Sequence, residues 1–139
     1  MSKSDTFEAD VLKDEFQGTA FSWNADTVLY VALHSADPTD AGSESSNEVA
    51  YTGYARVAVN RTSGAWTISG TNPTTATNAA DILFPKCTGG SATATYFSIG
   101  VASTGATEIL HSGALTSSMS ISTNITPRLA AGQVTITED

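Results

Sequence analysis

"TVLYVALHS", residues 27–35, decides the fold class. Leu29, Val31 and Leu33 alternate with Val28, Tyr30, Ala32 and His34, the period of two that sends successive side chains to opposite faces of a strand. Both faces are largely apolar, which predicts a central strand covered on two sides. Alternation returns in "YARVAVN" (54–60). Shorter runs of strand character follow: "AWTIS" (65–69), "DILF" (81–84), "TYFSIGVA" (95–102), "EILHSGAL" (108–115), "MSISTN" (119–124) and "QVTIT" (133–137), punctuated by Gly, Pro and Asn. "STGA" (103–106) predicts a tight turn between two of them. About eight short strands a dozen or so residues apart predict a mainly β chain, a jelly-roll-like antiparallel β-sandwich.

The start of the chain breaks this pattern. Phe7, Val11, Leu12 and Phe16 recur at helical spacing, Asp5 and Glu8 stand where a first turn is capped, and Gly18 stands where a last turn ends. We expect a short N-terminal α-helix, with residues 1–18 as a helix or arm and 19–139 as the β-sandwich domain. A length of 139 residues suits one such domain, and no linker separates a second. Ser, Thr, Ala and Gly fill about half the chain, a composition that suits many turns and strands with one wet face.

Charge is uneven. The net charge is −8, and all of the excess lies before residue 49. A surface this acidic repels phosphate backbones, so nucleic acid is not expected as a partner. No apolar run approaches the length needed to cross a bilayer, and "MSKSDTFEAD" has no signal-peptide core, so no membrane partner is expected and folding in a reducing cytoplasm is. The single Cys87 has no internal disulfide partner and reads as a small residue near a strand end.

Catalytic chemistry finds little to work with. His34 and His111 are the only imidazoles, each inside an expected strand, and serines are too abundant for a Ser/His pairing to be informative. With Cys87 they are too scattered for zinc, and no cofactor is expected. The loop "SADPTDAGSESSNEV" (35–49) carries Asp37, Asp40, Glu44 and Glu48, but at spacings of three and four rather than the alternate positions of a calcium loop. It reads as a strand-to-strand connection and surface contact. The sequons "NRT" (60–62) and "NIT" (124–126) carry no weight without a secretory signal. Trp23, Trp66, Tyr51 and Tyr54 serve either a small core or a sugar-stacking platform, and core or partner contact is the favoured reading. The surfaces expected to meet a partner are the helix face of Phe7, Val11 and Phe16 and the loop acids Asp37, Asp40 and Glu44.

Taken in order, the short helix, "QGTAFSW", "LYVALHSADPTDAG", "NEVAYTGYARVAV", "ADILFP", "ATYFSIGVASTGATEILHSGAL" and "ITPRLAAGQVTITED" resemble a family of small tailed-bacteriophage virion proteins. Its members are often labelled tail-fibre protein, and its best understood relatives are capsid cement or decoration proteins of jelly-roll fold. The longer segment 60–78 departs from that pattern and reads as a loop elaboration. The resemblance implies a non-enzymatic structural protein made in the host bacterial cytoplasm and placed on the outer capsid surface, bridging copies of the major capsid protein to stabilise the expanded shell. It also implies self-association as a homodimer on local two-folds. The alternative is a tail fibre or baseplate component that binds a host-surface glycan, which requires aromatics such as Trp66 exposed beside polar groups in a shallow groove.

Overall fold

In a computed structural model that describes residues 2–138, the chain is mainly β, with three antiparallel sheets and one helix near the N-terminus. The expected central strand is β2 (Val28–His34), flanked by β3 (Val57–Asn60) and β7 (Ser91–Gly100). Val31 and Leu33 are fully buried on one face of β2, and Ala32 and His34 on the other. Beyond β7 come β8 (Ile109–Ser122) and the short β1 (Ser2–Lys3), completing a five-stranded sheet of order β1-β8-β7-β2-β3. The two runs "EILHSGAL" and "MSISTN" belong to one strand. β8 carries residues 115–118 where β7 carries only Thr95, an irregularity that breaks the alternation and hides the continuity from the sequence.

A second sheet, of order β10-β5-β4, is built from β4 (Trp66–Ser69), β5 (Thr74–Asn78) and β10 (Thr135–Glu138). Segment 60–78, expected as a loop, therefore holds the β4–β5 hairpin. "TTATN" lacks apolar alternation because β5 is paired on both edges and half-buried along most of its length. The third sheet is the pair β6 (Ile82–Leu83) and β9 (Arg128–Leu129). The main core joins all three: Leu33, Phe97 and Ile121 of the large sheet, Ile136 of β10, and Ile82 and Leu129 of the small pair share one buried cluster. Burial of each such side chain contributes roughly 1.5–3 kcal/mol.

The helix α1 (Asp5–Gln17) is capped one residue earlier than the Asp5 the sequence suggests. Ser4 is the N-cap: its Oγ accepts from the Phe7 N–H at 3.2 Å, and its hydroxyl donates to the Ile109 carbonyl of β8. Asp5 and Glu8 lie in the first turn, where their charge faces the positive end of the helix dipole. Gly18 closes the helix in the left-handed conformation, φ +66°, as the sequence predicts. Phe7 is the helix's one buried residue; Val11 is half-buried, while Leu12 is 57 % and Phe16 80 % exposed. Phe7 meets Trp23 and Leu110 in a second, smaller cluster that staples the arm to β8.

Candidate functional site: an aromatic groove beside a buried polar clasp

The acidic loop does not behave as a uniform surface contact. Glu44 is fully buried, and Arg56 is 8 % exposed. Arg56 Nε and Nη2 donate to Glu48 at 2.8 Å each, and Nη1 donates to Glu44 Oε2 at 3.2 Å and to the Ala102 carbonyl at 3.0 Å. Nη2 also donates to the Gly105 carbonyl at 2.7 Å, so one guanidinium ties the loop to the expected "STGA" turn. Glu44 Oε2 further accepts from the Thr107 hydroxyl at 2.6 Å, while Oε1 has no partner. Burial raises the Glu44 carboxyl above its usual range, and its hydrogen bond to Glu48 raises Arg56. Gly100 makes room for the clasp, since a Cβ there would stand 2.0 Å from Glu44 Cδ.

The same region holds the fold's Ser/His pair. His34 Nδ1 lies 2.7 Å from the Ser46 carbonyl, which only accepts, so Nδ1 carries the proton and Nε2 accepts from the Ser98 hydroxyl at 2.7 Å. Both residues are fully buried, and burial lowers the His34 pKa. A substrate cannot reach this pair. It is an interior hydrogen bond that anchors β2 to β7 and to the loop. Cys87 is likewise buried, its Sγ 3.3 Å from the Gly89 carbonyl. Among the described residues no group of three or more His, Cys, Asp or Glu side chains comes together to hold a metal ion.

The six residues expected to meet a partner are thus divided. Glu44 is held inside the clasp and Phe7 inside the second cluster, because each has an interior partner: Arg56 for the one, Trp23 and Leu110 for the other. Asp37 and Asp40 are exposed and shape the loop; the Asp37 carboxylate accepts from the Thr39 N–H at 2.8 Å, and the Asp40 carbonyl accepts from the Asp5 N–H at 3.0 Å. Val11 packs half-buried against that second cluster, and Phe16 alone of the three helix residues lies on the outer part of α1.

The open site lies elsewhere, in a groove of about 790 Å³ between the three-stranded sheet and the large one. Trp66 and Ile68 of β4, Ala76 of β5 and Ile136 of β10 form one wall. Ile99 of β7, Leu110 and His111 of β8, Leu29 of β2, Phe7 and Trp23 form the other. Arg61, Thr62, Ser63 and Thr67 supply the polar lining. Ile68 is 66 % exposed and Trp66 half-buried, so the apolar wall is open rather than sealed in the core. The aromatic side is pre-organised: Phe21 stacks on Trp23 with centroids 4.8 Å apart, Phe7 lies 5.9 Å from Trp23, and His111 stands edge-on to Phe7 at 5.4 Å. Arg61 caps it, its guanidinium carbon 4.8 Å from the Trp23 ring centre. The sequence pointed to Trp23 and Trp66 as a possible platform but not to Arg61, whose place beside Trp23 depends on a turn 35 residues earlier accepting its hydrogen bonds.

Over residues 2–137 the chain matches a protein-family model described as "Podophage GP4 fiber I protein gp80". The chain belongs to the gp80 fiber protein family. A gp80-family chain is a phage fibre-type structural protein, which overturns the expectation of a capsid cement or decoration protein on the head surface. The misreading has a physical source: alternating strands without catalytic groups make an inert scaffold for a head or for a fibre, and nothing in that pattern distinguishes the two. No curated protein matches the gp80-family chain. No helix among its described residues is long and apolar enough to cross a membrane.

Proposed function

We propose that this fibre-type protein contacts a glycan on the host surface through the groove between β4–β5–β10 and the large sheet. The observation that carries the reading is the juxtaposition of an open Trp66 and Ile68 wall with Thr62, Ser63, Thr67 and Arg61. A sugar ring presents apolar C–H faces to aromatic surface and hydroxyls to polar neighbours, and a concave site with few placed polar groups suits both demands. Membership of a fibre family supports it, because fibres are the virion parts that extend toward the host. Purified protein is expected to bind one or more polysaccharides in a panel extracted from bacterial surfaces. Trp66→Ala is expected to weaken that binding at least about tenfold with the fold intact. Absence of binding by the unaltered protein across the panel overturns the reading.

The architecture belongs to the same proposal. The two small sheets form the second layer of a sandwich over the large one, closing it in jelly-roll fashion as the body of residues 19–139. Residues 1–18 are its arm. The outer part of α1 exposes Leu12 and Phe16 among five acids and one Lys, so its occupant is an apolar surface with a basic rim on a neighbouring virion protein, with Val11, Asp37 and Asp40 at the margin. Self-association through this face would set two helices of like charge against each other.

A further inference from the structure

We infer that the groove's ligand is an acidic saccharide, whose anionic group docks on the free edge of the Arg61 guanidinium while an adjoining sugar ring lies on Trp66; this rests on the glycan reading above. The groove is an exception to the charge of the molecule. Fourteen acids and six bases make up the chain, yet the lining of the groove contains Arg61 and His111 and no Asp or Glu. Of the other five cations, Lys3, Lys13 and Arg128 are paired at the surface with Glu138, Asp10 and Asp81, Arg56 is paired inside the clasp, and Lys86 lies outside the groove lining. Among the described residues Arg61 has no carboxylate within salt-bridge distance.

Arg61 is nevertheless held in place. Its Nη1 donates to the carbonyls of Trp23 at 3.1 Å, Asn24 at 3.3 Å and Asp26 at 2.7 Å, and its plane is backed by the Trp23 ring. All three of these bonds use one nitrogen. Nε and Nη2 make no hydrogen bond among the described residues, and that pair of donors is the fork that takes a carboxylate or phosphate through two parallel bonds. A cation fixed by three carbonyls loses little side-chain freedom when a ligand arrives, so its charge is available at low entropic cost. The local field therefore selects for an anion at a site where the rest of the protein repels one.

The test presents acidic bacterial surface polysaccharides in three forms: native carboxylated, chemically carboxyl-reduced, and a phosphate-bearing set lacking carboxylates. Binding to the native form is expected to exceed that to its reduced counterpart at least about tenfold, and to weaken as salt rises from about 50 to about 300 mM. Arg61→Gln is expected to abolish the preference while leaving the residual binding to the reduced form, and Arg61→Lys to restore it only in part, because an ammonium lacks the fork. Tight binding of the phosphate set alone assigns the anion as phosphate and upholds the inference. Equal binding of native and reduced forms overturns it and leaves the glycan reading standing. No binding of any form by the unaltered protein overturns both. The comparison of native with reduced ligand requires no variant, so a misfolded Arg61→Gln does not blunt it.

Discussion

Arg56 shows how much depends on single side chains here. Removing one partner of a buried, hydrogen-bonded ion pair costs on the order of 3–5 kcal/mol, whereas exposed pairs such as Lys13–Asp10 contribute about 0–1 kcal/mol. The clasp, rather than the surface pairs, therefore decides how firmly residues 42–56 lie against the sheet. Its neighbour His34 gives the protein a pH dependence. Burial holds the His34 pKa below 6.5, so an unfolded chain takes up a proton near that value that the folded one refuses. Stability is then full above about pH 6.5 and falls as pH drops toward the folded value. His111 acts in the same sense. Glu44 and Glu108, whose carboxyls are raised by burial, act in the opposite sense in a window that opens upward from 4.5. Urea midpoints are expected to fall between about pH 7 and about pH 5.5, and by less in His34→Gln. Parallel pH profiles for the two proteins would contradict this account of His34.

Among the elements, α1 offers the clearest division of labour, because one helix carries both an interior and an outward aromatic residue. Phe7→Ala is expected to cost about 3–5 kcal/mol, since it empties the cluster shared with Trp23 and Leu110. Phe16→Ala is expected to change stability by less than about 0.5 kcal/mol while weakening incorporation into virions. Chemical denaturation and particle composition measure the two effects separately, and a stability loss at Phe16 matching that at Phe7 would sink the division. The helical spacing of Phe7, Val11 and Phe16 was legible in the sequence; which of them faces inward was not, because that depends on where β8 lies. β2 was legible for the opposite reason, its strict alternation being set by its own residues. The β4–β5 hairpin was only half visible: "AWTIS" has strand character, but "TTATN" acquires its form from pairing with β4 and β10. The burial of Glu44 was invisible because its enabling partners, Arg56 and Gly100, are 12 and 56 residues away.

For the whole molecule, charge divides the surface into two regions of different chemistry. An acidic N-terminal third carries the outward face of α1, and a groove without carboxylates opens between the sheets. The proposal assigns attachment to the first region and ligand contact to the second, and Phe7, buried at the base of α1, joins the two. The class of protein was legible as an inert β scaffold of a phage particle, but its place in that particle was not. Location is a property of partner surfaces, and one chain's hydrophobic pattern describes only its own interior. Electron cryo-microscopy of the intact virion, with this chain traced in the map, examines that point directly. The account predicts density in a tail-associated fibre, with α1 against a neighbouring protein and the Trp66–Arg61 groove open to solvent. Density spread over the head shell, or a groove filled by another virion protein, would contradict it.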